Sequence, residues 1–252
     1  MFIYLKRAVL VMMLGISSAW AAPIDSDDSI LVVGATGRTG VLLVQQLQDR
    51  GMNVTAGVRD VEKAKRLLGE DTPIVQMDLL DKQSLSKALQ GMDALINAAS
   101  ANARKSGEEL TKKIEEGGNV ALAEAAVEAG LKKFVLISSM GVTQPDHFLN
   151  RIANNVLLYK FEGEKAIKSS GIDYTIVRPG GLKDGASPGK VITFMQGDPK
   201  DGTGFIHRSD VATICIEALL TDQSSKKTFE IVMGKGPMNS DFVSEFSKLK
   251  AD

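Results

Sequence analysis

The sequence predicts an α/β architecture: a doubly wound parallel sheet with a small C-terminal extension on the ligand side. Three observations predict it. Short apolar, β-branched runs alternate with helix-patterned runs five times between residues 29 and 139, as in a parallel sheet covered on both faces. The first of these runs opens onto Gly34-Ala35-Thr36-Gly37-Arg38-Thr39-Gly40, three glycines set between a strand and a helix. The length of 252 residues and the 44% hydrophobic content suit one large globular domain.

The N-terminus reads differently. Lys6-Arg7, the apolar run 8–16 and Ser18-Ala19-Trp20-Ala21-Ala22-Pro23 follow one another in the order of a secretory signal peptide with an Ala-x-Ala site. This reading gives a leader over 1–21, a polar linker over 22–28 and a folded domain over 29–252. It sends the protein along a periplasmic or secretory route, with no stable membrane span after leader cleavage. The alternatives are an N-terminal element of the fold, an uncleaved anchor, a first step into an organelle lumen, or a start at Met12 or Met13 and a cytoplasmic protein. A net charge of −1 without a long basic run argues against nucleic acid as a partner. The lone Cys215 rules out an intrachain disulfide, and His147 and His207 are too isolated for a metal cluster.

Along the chain, residues 29–33 form the first strand. Gly34 then allows a tight turn, Gly37 lets a phosphate approach the backbone, and Gly40 lets the following helix lie close to the strand. With Thr36, Arg38 and Thr39 these glycines frame a helix N-terminus whose free N–H groups and positive dipole end suit a pyrophosphate. The alternative is a glycine-rich turn without a ligand. Strand two, 53–58, ends at Arg59. At that tip an acidic residue favours a free ribose 2′-OH, whereas an arginine accommodates a 2′-phosphate. Arg38 supplies a second positive charge. The cofactor expected is therefore NADP rather than NAD, the alternative being arginines that face solvent. A helix over 61–68 leads to a third strand over 73–77, which ends at Asp78-Leu79. Asp78 is placed to bond an adenine amine or to cap the next helix, 84–89. Strand four, 93–99, ends in the small residues Ala98 and Ala99, which leave room for a ligand or for a packed helix. A loop over 100–107, one long helix over 108–129 and strand five over 133–137 bring the chain to Ser138-Ser139. All of these residues fall beyond carboxyl strand ends, where such sheets gather ligands.

The second half reads as a helix over 152–170 and a sixth strand over 171–182, ending in Pro179-Gly180-Gly181-Leu182. Small strands at 191–193 and 205–207 are expected over the substrate side. A helix over 210–220 with its cap near Ser209 or Asp210, a late strand over 227–233 and a terminal helix over 241–250 follow. His207 reads as structural, the alternative being an acid, and Cys215 as a small core residue. Together the glycine loop, Gly118-Asn119, Ser138-Ser139, Tyr174-Thr175-Ile176-Val177-Arg178-Pro179-Gly180-Gly181-Leu182 and Arg208-Ser209-Asp210-Val211-Ala212 resemble the atypical short-chain dehydrogenase/reductases. These are NAD(P)-binding Rossmann proteins, and the similarity points to their biliverdin/flavin reductase-like and NmrA-like branch. The chain is also similar to the NAD(P)-binding domain of a chloroplast envelope translocon component. The resemblance spans about residues 29–250.

The resemblance implies that the Lys160 ammonium meets the nicotinamide ribose hydroxyls, that Ser138 lies near the nicotinamide, and that the Pro179 turn lines the same end. Simple exposure on a helix explains Lys160 equally well. Active members of the family carry a proton-donating Tyr four residues before the Lys. Here that position is Val156, which transfers no proton, and Tyr159 lies about 100° around the helix from Lys160. No catalytic residue is therefore assigned. The expectation is an NADP-binding oxidoreductase-like protein that reduces a small flavin- or quinone-like acceptor without the tyrosine acid. The alternative is a non-catalytic NADP(H) redox sensor or scaffold whose partner is a protein.

Overall fold

The computed structural model describes residues 23–200, 204–238 and 240–252; the leader reading of 1–21 lies outside them. The first half alternates β1 (Ser29–Val33), α1 (Arg38–Asp49), β2 (Asn53–Val58), α2 (Val61–Leu68), β3 (Ile74–Gln76), α3 (Lys82–Leu89) and β4 (Ala94–Asn97). Then come α4 (Ala103–Ser106), α5 (Glu108–Lys112), a π-turn (Lys113–Gly117), α6 (Gly118–Glu128) and β5 (Lys133–Ile137). The second half holds α7 (Phe148–Ile152), α8 (Val156–Ser169), β6 (Tyr174–Pro179), β7 (Gly181–Lys183), β8 (Lys190–Met195) and β9 (Phe205–His207). It closes with α9 (Arg208–Leu219), a 3₁₀ turn (Asp222–Ser224), β10 (Lys227–Pro237) and α10 (Phe242–Lys248).

The main sheet has the order β3-β2-β1-β4-β5-β6-β10-β8. Neighbours pair in parallel except β8, which runs antiparallel to β10. Because strand side chains alternate, β1 sends Ile30 and Val32 to one core and Leu31 and Val33 to the other. The first core is covered by α1, α2, α9 and α10, the second by α3, α6 and α8. Each fully buried aliphatic side chain contributes about 1.5–3 kcal/mol. The chain winds outward from β1 to β3, then returns to β4 on the other side of β1. Helices leave β1 and β4 in opposite directions there and open a crevice at the strands' carboxyl ends.

Four expectations need correction. The single helix over 108–129 is interrupted by the π-turn, which carries the Glu115 carboxylate into the interior. The helix over 152–170 starts late: Asn154 and Asn155 take left-handed backbone (φ 51° and 54°), which asparagine tolerates, and separate α7 from α8. Strand β8 does not lie over the ligand side but extends the main sheet, and only β9 pairs with β7 in a separate two-stranded sheet. Helix α9 starts at Arg208, so neither Ser209 nor Asp210 caps it; His207 holds the cap position without a side-chain bond. Within the 22–28 stretch, Ile24 packs into the first core and Asp28 pairs with Lys132. Among the described residues no helix is long and apolar enough to cross a membrane.

Candidate functional site

A cleft of about 750 Å³ runs along the carboxyl ends of the central strands. Its outer end is built on the glycine loop. Gly34 has φ +76°, and a Cβ there would stand 2.7 Å from the Ala99 backbone; at Gly40 it would stand 2.3 Å from the Gly34 carbonyl oxygen. Side chains at either position would push β4 or α1 away. Helices α2 and α3 begin under the carboxylates of Asp60 and Asp81. Helix α1 has no side-chain cap and no acidic residue in its first turn, and Gly37, Arg38 and Thr39 line the cleft. An uncapped N-terminus leaves its first N–H groups free, and these suit an anion.

Two arginines flank it unequally. Arg59 is exposed at the tip of β2 and has no ion-pair partner among the described residues. Arg38 is held by Asp184 at 2.7 Å, and the same carboxylate takes Arg208 at 2.7 Å. Burial pushes the Arg208 pKa down, and the nearby Arg38 charge acts in the same direction against Asp184. Asp78 and Leu79 line the cleft floor, where Asp78 Oδ1 accepts from the Leu80 N–H at 3.0 Å. Helix capping, the other reading of Asp78, falls to Asp81. A hollow of about 320 Å³ continues past Arg59 and Asp78.

The inner end is walled by Leu110, Ile114, Ile137 and Leu182 and carries polar groups braced from below. The Ser138 hydroxyl donates to Glu164, a carboxylate with no exposed surface. Arg178 donates to both oxygens of Glu164 and, at 2.9 Å, to Glu230. Burial drives the Glu230 carboxyl's pKa upward, against the pull of Arg178 and the Asp198 backbone. On the opposite wall Lys160 donates to Glu115 at 2.8 Å. Glu115 also accepts from the Ser100 hydroxyl and, at 2.7 Å, from the Ala101 N–H. Val156 is buried where the family tyrosine would stand. The Tyr159 hydroxyl donates to Glu108 at 2.7 Å, a bond that raises its pKa and keeps it a phenol.

Among the residues expected at the site, Gly34, Thr36, Gly37, Arg38, Thr39, Arg59, Asp78, Leu79, Ala98, Ala99, Ser138 and Lys160 line the cleft. Gly40 lies beneath the loop. Pro179 is buried at the end of β6, and that segment reaches the cleft through Leu182 instead. His207 lies outside the lining, and Cys215 is buried in α9, where burial pushes its thiol up. The sequence reading missed Glu115, Glu164, Asp184 and Arg208. Nothing in local periodicity separates the buried Glu115 from the half-buried Glu116; only the π-turn does.

A family model described as NAD(P)H-binding matches residues 34–222. An uncharacterised chloroplastic protein of Arabidopsis thaliana is 39% identical over 216 residues, covering 81% of this chain and 76% of the relative. Sanguinarine reductase of Eschscholzia californica is 32% identical, covering 88% and 96%. A solved Bacillus halodurans structure, described as an NAD-dependent epimerase/dehydratase, superimposes with a TM-score of 0.77 at 29% identity, covering 88% of this chain and all of that one.

Proposed function

The chain belongs to the NAD(P)H-binding family, and on that premise we propose that it is an NADPH-dependent reductase of a small, planar, flavin- or quinone-like acceptor. The observation that carries the reading is the uncapped N-terminus of α1, opening into a cleft beside Arg59, which has no ion-pair partner among the described residues. The residues present fit the cofactor: backbone N–H groups for the diphosphate, guanidiniums for a 2′-phosphate, and small Ala98 and Ala99 where bulk would block the cleft. A bound nicotinamide supplies a two-electron reducing equivalent. The chain's own part is to hold and shield. Lys160 presents its ammonium toward the ribose, and Ile137, Ile114 and Leu182 offer an apolar wall to a flat acceptor and exclude water. The 32% identity to a protein named a reductase supports this reading. The chloroplastic description of the Arabidopsis relative supports an organelle destination rather than export.

The test is calorimetry with NADPH and NADH, followed by oxidation of NADPH against flavins and quinones. Tight NADPH binding with turnover supports the reading; absence of binding to either nucleotide ends it. A second reading is a redox sensor that binds NADP(H) without chemistry. It is favoured by Val156 and by the Ser138 hydroxyl, whose proton is committed to Glu164. Tight binding without turnover across the panel, and a protein partner retained in one cofactor redox state, would select it.

A further inference from the structure

We propose that Glu115 is the positioning residue of the inner cleft: its carboxylate holds Lys160 as an aimed ammonium and pins the Ser100–Ala101 wall to the same point. This deepens, and rests on, the NADPH reading above.

Three independent features converge on the pair. First, the π-turn over Lys113–Gly117 adds one residue to the helical path and rotates Glu115 inward, leaving it 1% exposed. Such turns are rare and concentrate at functional sites. Second, α8 approaches this turn across Gly163, where a Cβ would stand 2.4 Å from the Glu115 carbonyl oxygen. That approach brings the Lys160 side chain, itself only 12% exposed, within 2.8 Å of Glu115. Third, the other hydrogen bonds of the carboxylate come from Ser100 and Ala101, and both residues line the cleft with Lys160. An ammonium has three donors. One goes to Glu115, and among the described residues no other side chain or backbone group takes the rest. In the family's active members the lysine also acidifies a tyrosine. With Val156 in that place, the charge of Lys160 serves the cofactor alone, and Glu115 keeps it fixed in place.

The other charged groups packed around α8 are already engaged. Glu108 takes Tyr159 and Asn155, Lys112 lies over the Tyr159 ring, Lys113 pairs with Glu109, and Glu164 is bound to Arg178. Glu116 is near enough to act on the Tyr159 phenol. Arg151 lies on α7, at the helix's start. Glu115 is thus the carboxylate in direct contact with Lys160.

The experiment is NADPH affinity of the full-length protein from pH 7 to 9.5. Wild type should be nearly flat. In Glu115→Gln, a desolvated ammonium without its counter-charge loses its proton as pH rises, so affinity should fall by about fivefold or more over that range. In Glu115→Gln combined with Lys160→Met the curve should be flat again, at a weaker affinity. A merely structural glutamate would weaken binding equally at every pH, and a flat Glu115→Gln curve overturns the proposal. Should Glu115→Gln fail to fold, Glu115→Asp keeps the charge; a new pH step there would also overturn it. Wild type that binds no NADPH at all defeats the functional reading and takes this inference with it.

Discussion

The two ends of the cleft are built on opposite principles. The outer end is centred on the glycine loop and carries an exposed ion pair: Arg38 and Asp184 keep 69% and 60% of their side-chain surface. The inner end is assembled from β5, the π-turn, α8, β6 and β10, and its charges are buried: Arg178 keeps 5% and its two carboxylates none. Solvent screens the first set, and its ion pairs are worth about 0–1 kcal/mol. The second set is desolvated, so its members depend on each other. The outer end can therefore exchange partners, as the proposed nucleotide site requires, while the inner end holds a fixed geometry.

The largest test of this contrast is to remove one arginine from each end. Arg178→Met strands Glu164 and Glu230 in the interior and should cost about 3–5 kcal/mol in urea unfolding, enough to lower the folded fraction at 37 °C. Arg38→Met should cost under about 1 kcal/mol. Equal losses would refute the division. Next in size is cofactor choice. Arg59→Asp should weaken NADPH about tenfold or more while leaving NADH within about threefold, because a carboxylate there repels a 2′-phosphate and accepts from a 2′-OH. Isothermal titration with both nucleotides decides it, and an equal effect on the two would remove Arg59 from the specificity position.

The same contrast explains what could be read from the chain. The positions of Gly34, Gly37, Gly40 and Arg59 were legible because they follow from local order: strand, turn, helix, strand tip. The centre of the sheet was legible because β1, β4, β5 and β6 are buried, mostly apolar runs; the partly exposed β8 was not. Glu115 and Glu164 were not. Each sits in a helix-patterned stretch among other charged residues, and its burial depends on a partner brought by another element: Lys160 and Ser100 for Glu115, Arg178 and Ser138 for Glu164. The break at Asn154-Asn155 was hidden for a related reason. Two asparagines permit left-handed backbone but do not demand it; bonds from Asn154 to the Ala103 carbonyl and from Asn155 to Glu108 select it here.

A smaller effect follows from Glu230. Burial raises its folded pKa above the unfolded value, so its contribution to stability is full below the ordinary carboxylate range and is lost as pH rises through the raised value. Glu230→Gln does not titrate. The difference in unfolding free energy, variant minus wild type, should therefore move in the variant's favour between pH 4.5 and 7.5. Thermal melts at both ends of that window check the sign. A difference that moves toward wild type would mean that Arg178 overcomes the burial of this carboxylate.

The smallest effect tests the outer end's capacity for exchange. Asp184 holds both Arg38 and Arg208 at the rim of the anion site, so a bound phosphate and this carboxylate compete for the same guanidiniums. Asp184→Asn removes the competitor without removing the volume. NADPH should bind more tightly, by up to about fivefold, since an exposed pair is worth no more than about 1 kcal/mol. The gain should shrink as added salt screens the wild-type contact. Arg38 and Arg208 differ in burial, and that sharpens the test. If the exposed arginine is the one released, Asp184→Asn in an Arg38→Met background should give no gain, and the two changes should be non-additive by the size of the single effect. If Asp184→Asn weakens binding instead, the carboxylate aims the arginines at the bound ligand, and the outer end is as preorganised as the inner one.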